Sequence, residues 1–530
     1  MGETIKVTSQ TKVSMRTGRK QTILNMVSSF ISQLLSLGIS FFLTPYIVSK
    51  LGAAAYGFFG LSNNIIGYTA LLTVALNSMS GRFIAVEYHK GEYVEANRYL
   101  SSTVLANCCM AIFIVLVLGI ITLFLEQILN IPQDIVLDVK FLFTLLFVNS
   151  AFGLCTGVFG MPMFIKNRYD ISNTMGVCMN IFRVTLIIIA YGFFPAHLWY
   201  IGAVGLIVSI IHTAWCYYFY CKMVPEFAIR LSFFQARKVW EMVREGAWNL
   251  LSQFSSILNQ GLELLLANLF IGAYYMGILS ITKSLPFVIL GIFAGLGCNF
   301  HPECVKYYAE GNMDSLRNLL IKGIRILGAL AVIPCAGVFV LGDLFYSLWM
   351  PGQNTNLLYG LSVITMAWIL TTLPTQTLWY IFTLTKTVKK SSIVLVRYGI
   401  AFVVTVIIAM LLIEDDLTKL YFVVSVQSIL GIIRFMTFLP SYSSKVLGLP
   451  RYTFLKLLVG VIYTCAIVCG IGFLLKYFFI HEYSWFTLVI GALVITLVSL
   501  GVSSLTILTK TDRDFILTRI LKIKKIRISA

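Results

Sequence analysis

Residues 23–49, ILNMVSSFISQLLSLGISFFLTPYIVS, contain no Lys, Arg, Asp or Glu, and residues 51–81 contain none either, which leaves Lys50 as the lone charge between positions 23 and 81. A helix crossing a bilayer needs about 20 mostly apolar residues. Each of these runs is therefore one span, and the rest of the chain repeats the pattern. Residues 99–125, 141–165, 344–385 and 483–509 are also free of charge. The stretch 184–221 is too long for a single helix and has Gly192, Pro195 and His197 near its middle, so it reads as the end of one span, a turn and a second span. The runs are long and continuous, without strand-length alternation, which selects helices over a barrel. Composition agrees: of 530 residues, 58% are hydrophobic and 12% charged, with mean hydropathy +0.87. Soluble domains carry roughly 25% charged residues. An ordinary cytosolic enzyme and a disordered chain are excluded, and 11 scattered cysteines do not make a disulfide scaffold.

The expected fold is an all-α polytopic membrane protein with about 14 transmembrane helices. They centre on 23–47, 54–79, 100–125, 141–165, 173–194, 198–220, 247–270, 276–299, 322–342, 356–383, 392–413, 419–439, 455–475 and 484–508. Charge placement tests this map independently. With the N-terminus in the cytoplasm, the inner segments hold 34 of the 40 Lys and Arg, and the outer connections hold only Lys50, Lys140, Lys419 and Lys476. One helix too many or too few would scramble that division. Both termini are accordingly expected in the cytoplasm, and the net charge of +18 is explained by topology without invoking nucleic acid. The first apolar run has the length of a span, longer than the core of a cleavable signal peptide. The basic C-terminal tail is expected to lie against anionic lipid.

An offset of 220 residues aligns two halves. Gln33 meets Gln253, Ser36 meets Ser256, Gly52-Ala53 meets Gly272-Ala273, Gly57 meets Gly277, and EYHKGEYVEANRYL (87–100) meets YYAEGNMDSLRNLL (307–320) without a gap. Each half has six spans and starts on the same side, so the repeat is parallel, as in two-lobed transporters. The expected organisation is an N-terminal lobe (1–220), a cytoplasmic linker (221–246), a C-terminal lobe (247–440), an additional two-helix hairpin (441–508) and a basic cytoplasmic tail (509–530).

The first span carries Ser29, Ser32, Gln33, Ser36 and Ser40 on one face, and the seventh carries Asn249, Ser252, Gln253, Ser256, Asn259, Gln260 and Glu263. Such stripes are costly against lipid. They suit the walls of one wet cavity, or else glue between packed helices. Arg183, His212, Glu263 and Lys283 are ionisable groups inside spans. Arg183 and Lys283 suit the phosphates of an anionic substrate. Glu263 suits an ion pair with one of them, proton uptake or cation coupling, and His212 suits packing. Asn63 and Asn64 add polarity to the second span, with Asn63 in register with Lys283 under the repeat. Arg82 closes that span on the inner side, either snorkelling or meeting substrate. No GxxxxGK[ST] or HExxH occurs, and the cysteines lie in apolar surroundings without a metal set. No cofactor and no enzymatic activity are expected.

The opening NMVSSFISQLLSLGISFFLTPYIVSKLGAAAYGFFGL (25–61), with Pro45, Lys50, Leu51, Gly52, Tyr56 and Gly57, resembles the MATE-like exporters of the multidrug/oligosaccharidyl-lipid/polysaccharide (MOP) superfamily, in particular Wzx-type polysaccharide flippases. The resemblance covers the first twelve spans, and the extra hairpin is like that of the 14-helix members, which include lipid II flippases. It implies alternating access of two lobes in the bacterial inner membrane. The substrate would be an undecaprenyl-pyrophosphate-linked oligosaccharide moved from the inner to the outer leaflet. Membrane lipids would be neighbours, and a polysaccharide polymerase and ligase would act downstream. Energy is expected from the membrane potential or an ion gradient, with H+ or Na+ as coupling ion. By location, the resemblance assigns Arg183 and Lys283 to pyrophosphate and sugar. The alternative is a MATE-type cation-coupled multidrug antiporter. That branch usually has acidic residues in its N-terminal lobe, and the first six spans here have none. A membrane glycosyltransferase or polymerase fits less well, because the outer loops are short.

Overall fold

The computed structural model describes residues 3–385, 387–480 and 482–513, with side chains from residue 21 onward except those of 22, 23 and 26. Most of the basic C-terminal tail and the side chains of the N-terminal one therefore lie outside the described residues. Every regular element among the described residues is helical, and twelve helices are long and apolar enough to cross a membrane. The first of these runs from Val27 to Lys90, 64 residues. At 1.5 Å per residue it is long enough for two spans, and it is kinked at Gly52 (φ 83°, ψ 167°), a conformation that glycine adopts without steric cost. The predicted span 247–270 is not among the twelve; there the helix Ala236–Ser256 passes through a π-helical turn, Ile257–Gly261, into the short helix Glu263–Phe270. The fourteen-span reading and the structure agree on this basis.

Among the described residues, packing falls into two units that divide between Gly277 and Ile278. In the first, α1 (Glu3–Lys90) packs against α2 (Tyr93–Leu123), α4 (Tyr169–Phe193) and α6 (Ala236–Ser256), while α3 (Val136–Thr156) packs on α2 and α5 (Trp199–Met223). A π turn, Ile257–Gly261, joins α6 to α7 (Glu263–Phe270), and α8 (Ala273–Cys298) follows. Residues 224–276, expected in the linker and the second lobe, thus pack with the first unit. In the second unit, α9 (Met313–Trp349) is the central helix. It packs against α10 (Thr355–Thr372), α14 (Thr453–Phe479) and α15 (Trp485–Thr506). Leu327, Val332, Cys335, Val461 and Val468 form part of its buried core, and Gly328 makes room for Val461, whose Cγ2 would stand 2.5 Å from an added Cβ. The remaining spans are α11 (Val388–Leu412) and α12 (Asp416–Ile433), with a second π turn, Arg434–Phe438, leading to the short α13 (Leu439–Val446).

The repeat is visible in backbone geometry. Gly91 and Gly311, 220 residues apart, both have positive φ, 83° and 69°. Gly91 N–H donates to Tyr88 O and Glu92 N–H to Glu87 O. Gly311 N–H donates to Tyr308 O and Asn312 N–H to Tyr307 O. Both loops are the same Schellman cap, in which a left-handed glycine lets the last carbonyls find donors.

Side-chain bonds also sort the first unit's connections into two ends. Asn25 Nδ2 donates to Asn167 O (2.9 Å), Lys166 Nζ to the Tyr88 hydroxyl (2.7 Å), and Asn97 Nδ2 to Glu226 O (2.9 Å). Lys238 meets Glu95 at 3.1 Å. At the other end Asn130 Nδ2 donates to Asn268 O (2.8 Å), and His197 Nδ1 lies 3.1 Å from Asp138. The first set are the connections assigned to the inner side and the second set those assigned to the outer side. The Lys166 ammonium is held above its ordinary pKa by the bond to Tyr88, and Arg168 above its own by the Asp170 carboxylate. Both remain charged at this end.

Candidate functional site

The polar stripe of the first span splits between two uses. Asn173 Nδ2 on α4 donates to the hydroxyls of Ser28 (3.0 Å) and Ser29 (2.7 Å), and Asn180 Nδ2 donates to that of Ser36 (2.9 Å). Ser32 lies beside Gly176 between them. These groups are interhelical glue. Gln33 and Ser40 are exposed, and the Gln33 amide has no hydrogen-bond partner among the described residues.

Arg183 extends this interface. Positions 173, 176, 180 and 183 follow steps of three and four and lie on one face of α4, so Arg183 falls one turn beyond the Asn180–Ser36 bond. It is exposed and makes no ion pair or hydrogen bond among the described residues. The pairing with Glu263 considered from sequence does not form. An exposed guanidinium at that depth either faces water or costs several kcal/mol against lipid, about 2.5–3.5 on insertion scales.

The seventh span presses on the second. An added Cβ at Gly246 would stand 1.8 Å from Ala75 O; beyond the seventh span, one at Gly277 in α8 would stand 2.1 Å from Ala53 O. Asn249 Nδ2 donates to the Ser78 hydroxyl (3.0 Å). At the π turn the regular ladder breaks, and freed carbonyls need other donors. The second span supplies them: Asn64 Nδ2 donates to Gly261 O at 3.0 Å, and the Tyr68 hydroxyl donates to the same oxygen. Asn64, expected to touch substrate, is thus a clamp on the turn. Asn259 Nδ2 donates to Ser255 O (2.7 Å). Gln253 and Gln260 are half-buried, and their amides have no hydrogen-bond partner among the described residues. Glu263, one turn further, is fully buried. Asn63 is exposed and donates back to Phe59 O (2.9 Å). Arg82 is exposed and without an ion pair among the described residues.

In the second unit Lys283 is 6% exposed, with its ammonium 5.9 Å from the centre of the Phe287 ring. Sequence reasoning missed two further charged sites. Arg434 falls near the end of the span 419–439 and was not singled out. It is buried, opens the π turn and lies over the Phe435 ring at 4.6 Å. The signal was present in RFMTFLP (434–440), where one cation precedes apolar residues rather than a polar loop. Lys476 is one of the four lysines of the outer connections. Its ammonium meets both Asp343 carboxylate oxygens at 2.5 and 2.6 Å and Val340 O at 3.0 Å, joining α14 to α9. No group of His, Cys, Asp and Glu among the described residues could hold a metal ion.

No family model matches the chain. It is 27% identical over 512 residues to the uncharacterized membrane protein EpsK of Bacillus subtilis (strain 168), covering 94% of this chain and 98% of that protein. Among solved structures, the lipid II flippase MurJ in an inward closed conformation superposes with TM-score 0.65 at 13% identity, covering 93% of this chain and 100% of that one. An inward-facing multidrug resistance MATE family transporter of the MOP superfamily superposes with TM-score 0.61 at 16% identity, covering 79% and 95%. An outward-facing MATE structure gives 0.57, over 80% and 96%. By fold, the chain is similar to MATE family transporters and to the lipid II flippase MurJ.

Proposed function

We propose that this protein is a flippase that moves an undecaprenyl-pyrophosphate-linked oligosaccharide from the inner to the outer leaflet of a bacterial cytoplasmic membrane, with both termini in the cytoplasm. The observation that carries the reading is the isolated cation Arg183 at the end of a polar interface, in a lobe whose first six spans hold no acid. A diphosphate headgroup needs fixed positive charge in a low-dielectric setting. An exporter of cationic drugs needs the opposite sign. Lys283 supplies a second in-span cation from the other half. The exposed Gln33 and Ser40, with the half-buried Gln253 and Gln260, offer hydrogen bonds to sugar hydroxyls. The match to the flippase MurJ extends over 93% of this chain and that to the MATE transporter over 79%, in keeping with a substrate whose prenyl tail needs the extra hairpin. Glu263 is the candidate for charge balance or for H+ or Na+ coupling, and polymerising and ligating enzymes would consume the product outside.

The test is reconstitution of the full chain into vesicles with a fluorescent prenyl-diphosphate oligosaccharide. The expected result is transfer of the label between leaflets, abolished in empty vesicles. Gradient-driven efflux of a cationic dye without glycan transfer would select the antiporter instead.

A further inference from the structure

A second site opens at the end of the second unit that the topology assigns to the cytoplasm. Beyond the π turn Arg434–Phe438, α13 runs for eight residues and stops at Gly448 (φ 66°). Gly448 N–H donates to Lys445 O and Leu449 N–H to Ser444 O, another Schellman cap. The chain then re-enters the membrane as α14 after Pro450-Arg451-Tyr452. This reversal leaves a groove of about 680 Å³ between the end of the π turn, α13 and the entry to α14.

Its lining combines two chemistries. Lys445 and Arg451 are exposed and form no ion pair among the described residues. Arg451 also stands at the start of α14, whose first N–H groups have no side-chain cap, so the positive end of the helix dipole adds to its charge. Beside these cations Phe438 and Tyr442, one helical turn apart, stack with centroids 5.4 Å apart and planes at 28°. Phe382 stacks on both, 6.4 Å from Phe438 and 5.4 Å from Tyr442, and braces the pair from the core. The hydroxyls of Ser441 and Tyr442 line the groove and have no hydrogen-bond partner among the described residues.

Free cations with open hydroxyls recognise phosphate. A braced aromatic shelf presents a negative ring face to the polarised C–H bonds of a pyranose. We infer that this groove is a loading site that holds the diphosphate and first sugar of the lipid-linked substrate at the inner membrane surface before it enters the spans. The inference rests on the flippase reading and adds a residence for the substrate separate from Arg183 and Lys283. A bulk phospholipid headgroup would use the cations and leave the shelf idle.

The test is photo-crosslinking of the full-length protein in nanodiscs with a geranyl-diphosphate disaccharide carrying a diazirine on the sugar, followed by mapping of the labelled peptides. Label is expected within residues 437–452. It should fall at least fivefold in K445Q/R451Q and in Tyr442→Leu, with no change in thermal midpoint for the exposed double variant. Label confined to other segments of a transport-competent protein overturns the loading site alone. Equal protection by excess phosphatidylglycerol and by unlabelled glycan probe overturns it in favour of a lipid-headgroup contact. Neither labelling nor translocation of the probe anywhere in the wild-type protein removes the flippase reading itself.

Discussion

Lys283 and Arg183 sit in different surroundings, and their substitutions should behave differently. Lys283 is buried, so Lys283→Gln should cut glycan translocation tenfold or more, and Lys283→Arg should restore part of it by keeping the charge. Arg183 is exposed and carries no structural bond among the described residues. Arg183→Ala should therefore change stability by no more than about 0.5 kcal/mol while lowering translocation in the same vesicle assay. Full transport in both neutral variants would refute the cationic role. Gly246 makes a contrasting case. Its missing Cβ would overlap Ala75 O at 1.8 Å, so Gly246→Ala should destabilise by about 2 kcal/mol, read as a lower unfolding midpoint in detergent. At this scale the sequence revealed which residues were polar and in span, because charge and hydropathy are local properties. It could not reveal which polar groups were already engaged. Asn64 and Ser36 are spent on neighbouring helices, whereas Gln33 is not, and that division depends on the rotation of each helix against its partners.

Among the elements, glycine and π turns carry the architecture. The paired glycines at 91 and 311 were legible because a left-handed cap all but requires that residue at a fixed place in the repeat. Gly91→Ala and Gly311→Ala should each cost about 1–2 kcal/mol, in equal measure, by thermal or denaturant unfolding. The π turns at 257–261 and 434–438 were not legible. Nothing in ILNQG or RFMTF marks a one-residue insertion in the helical ladder, since such a turn depends on donors that come from elsewhere in the fold. Tyr68 and Asn64 provide that support at Gly261. Tyr68→Phe combined with Asn64→Ala should leave the carbonyl unmatched and cost about 1–3 kcal/mol. Faster amide exchange confined to residues 255–265 would locate the effect, and unchanged exchange there would show that the clamp does not hold the turn.

For the whole molecule, span number was the most legible feature, since membrane thickness sets the length of each run without knowledge of any contact; sidedness is a proposal from loop charge, with a direct test. In a variant lacking native cysteines, Glu414→Cys should react with an impermeant maleimide from outside the cell, and Glu310→Cys only after permeabilisation. Reversed access would discard the topology. The boundary between halves was less legible. The repeat divides the chain by ancestry, while the seventh span packs with the first unit through Gly246 and Asn249.

The clasp between Lys476 and Asp343 makes the last two helices part of the fold of the second unit. A truncation ending before α14 would remove the ammonium that meets both Asp343 oxygens at the outer end of the ninth span. It would also strip Val461 and Val468 from the core built around α9. The twelve-span remainder would lose a charge partner and part of its packing at once.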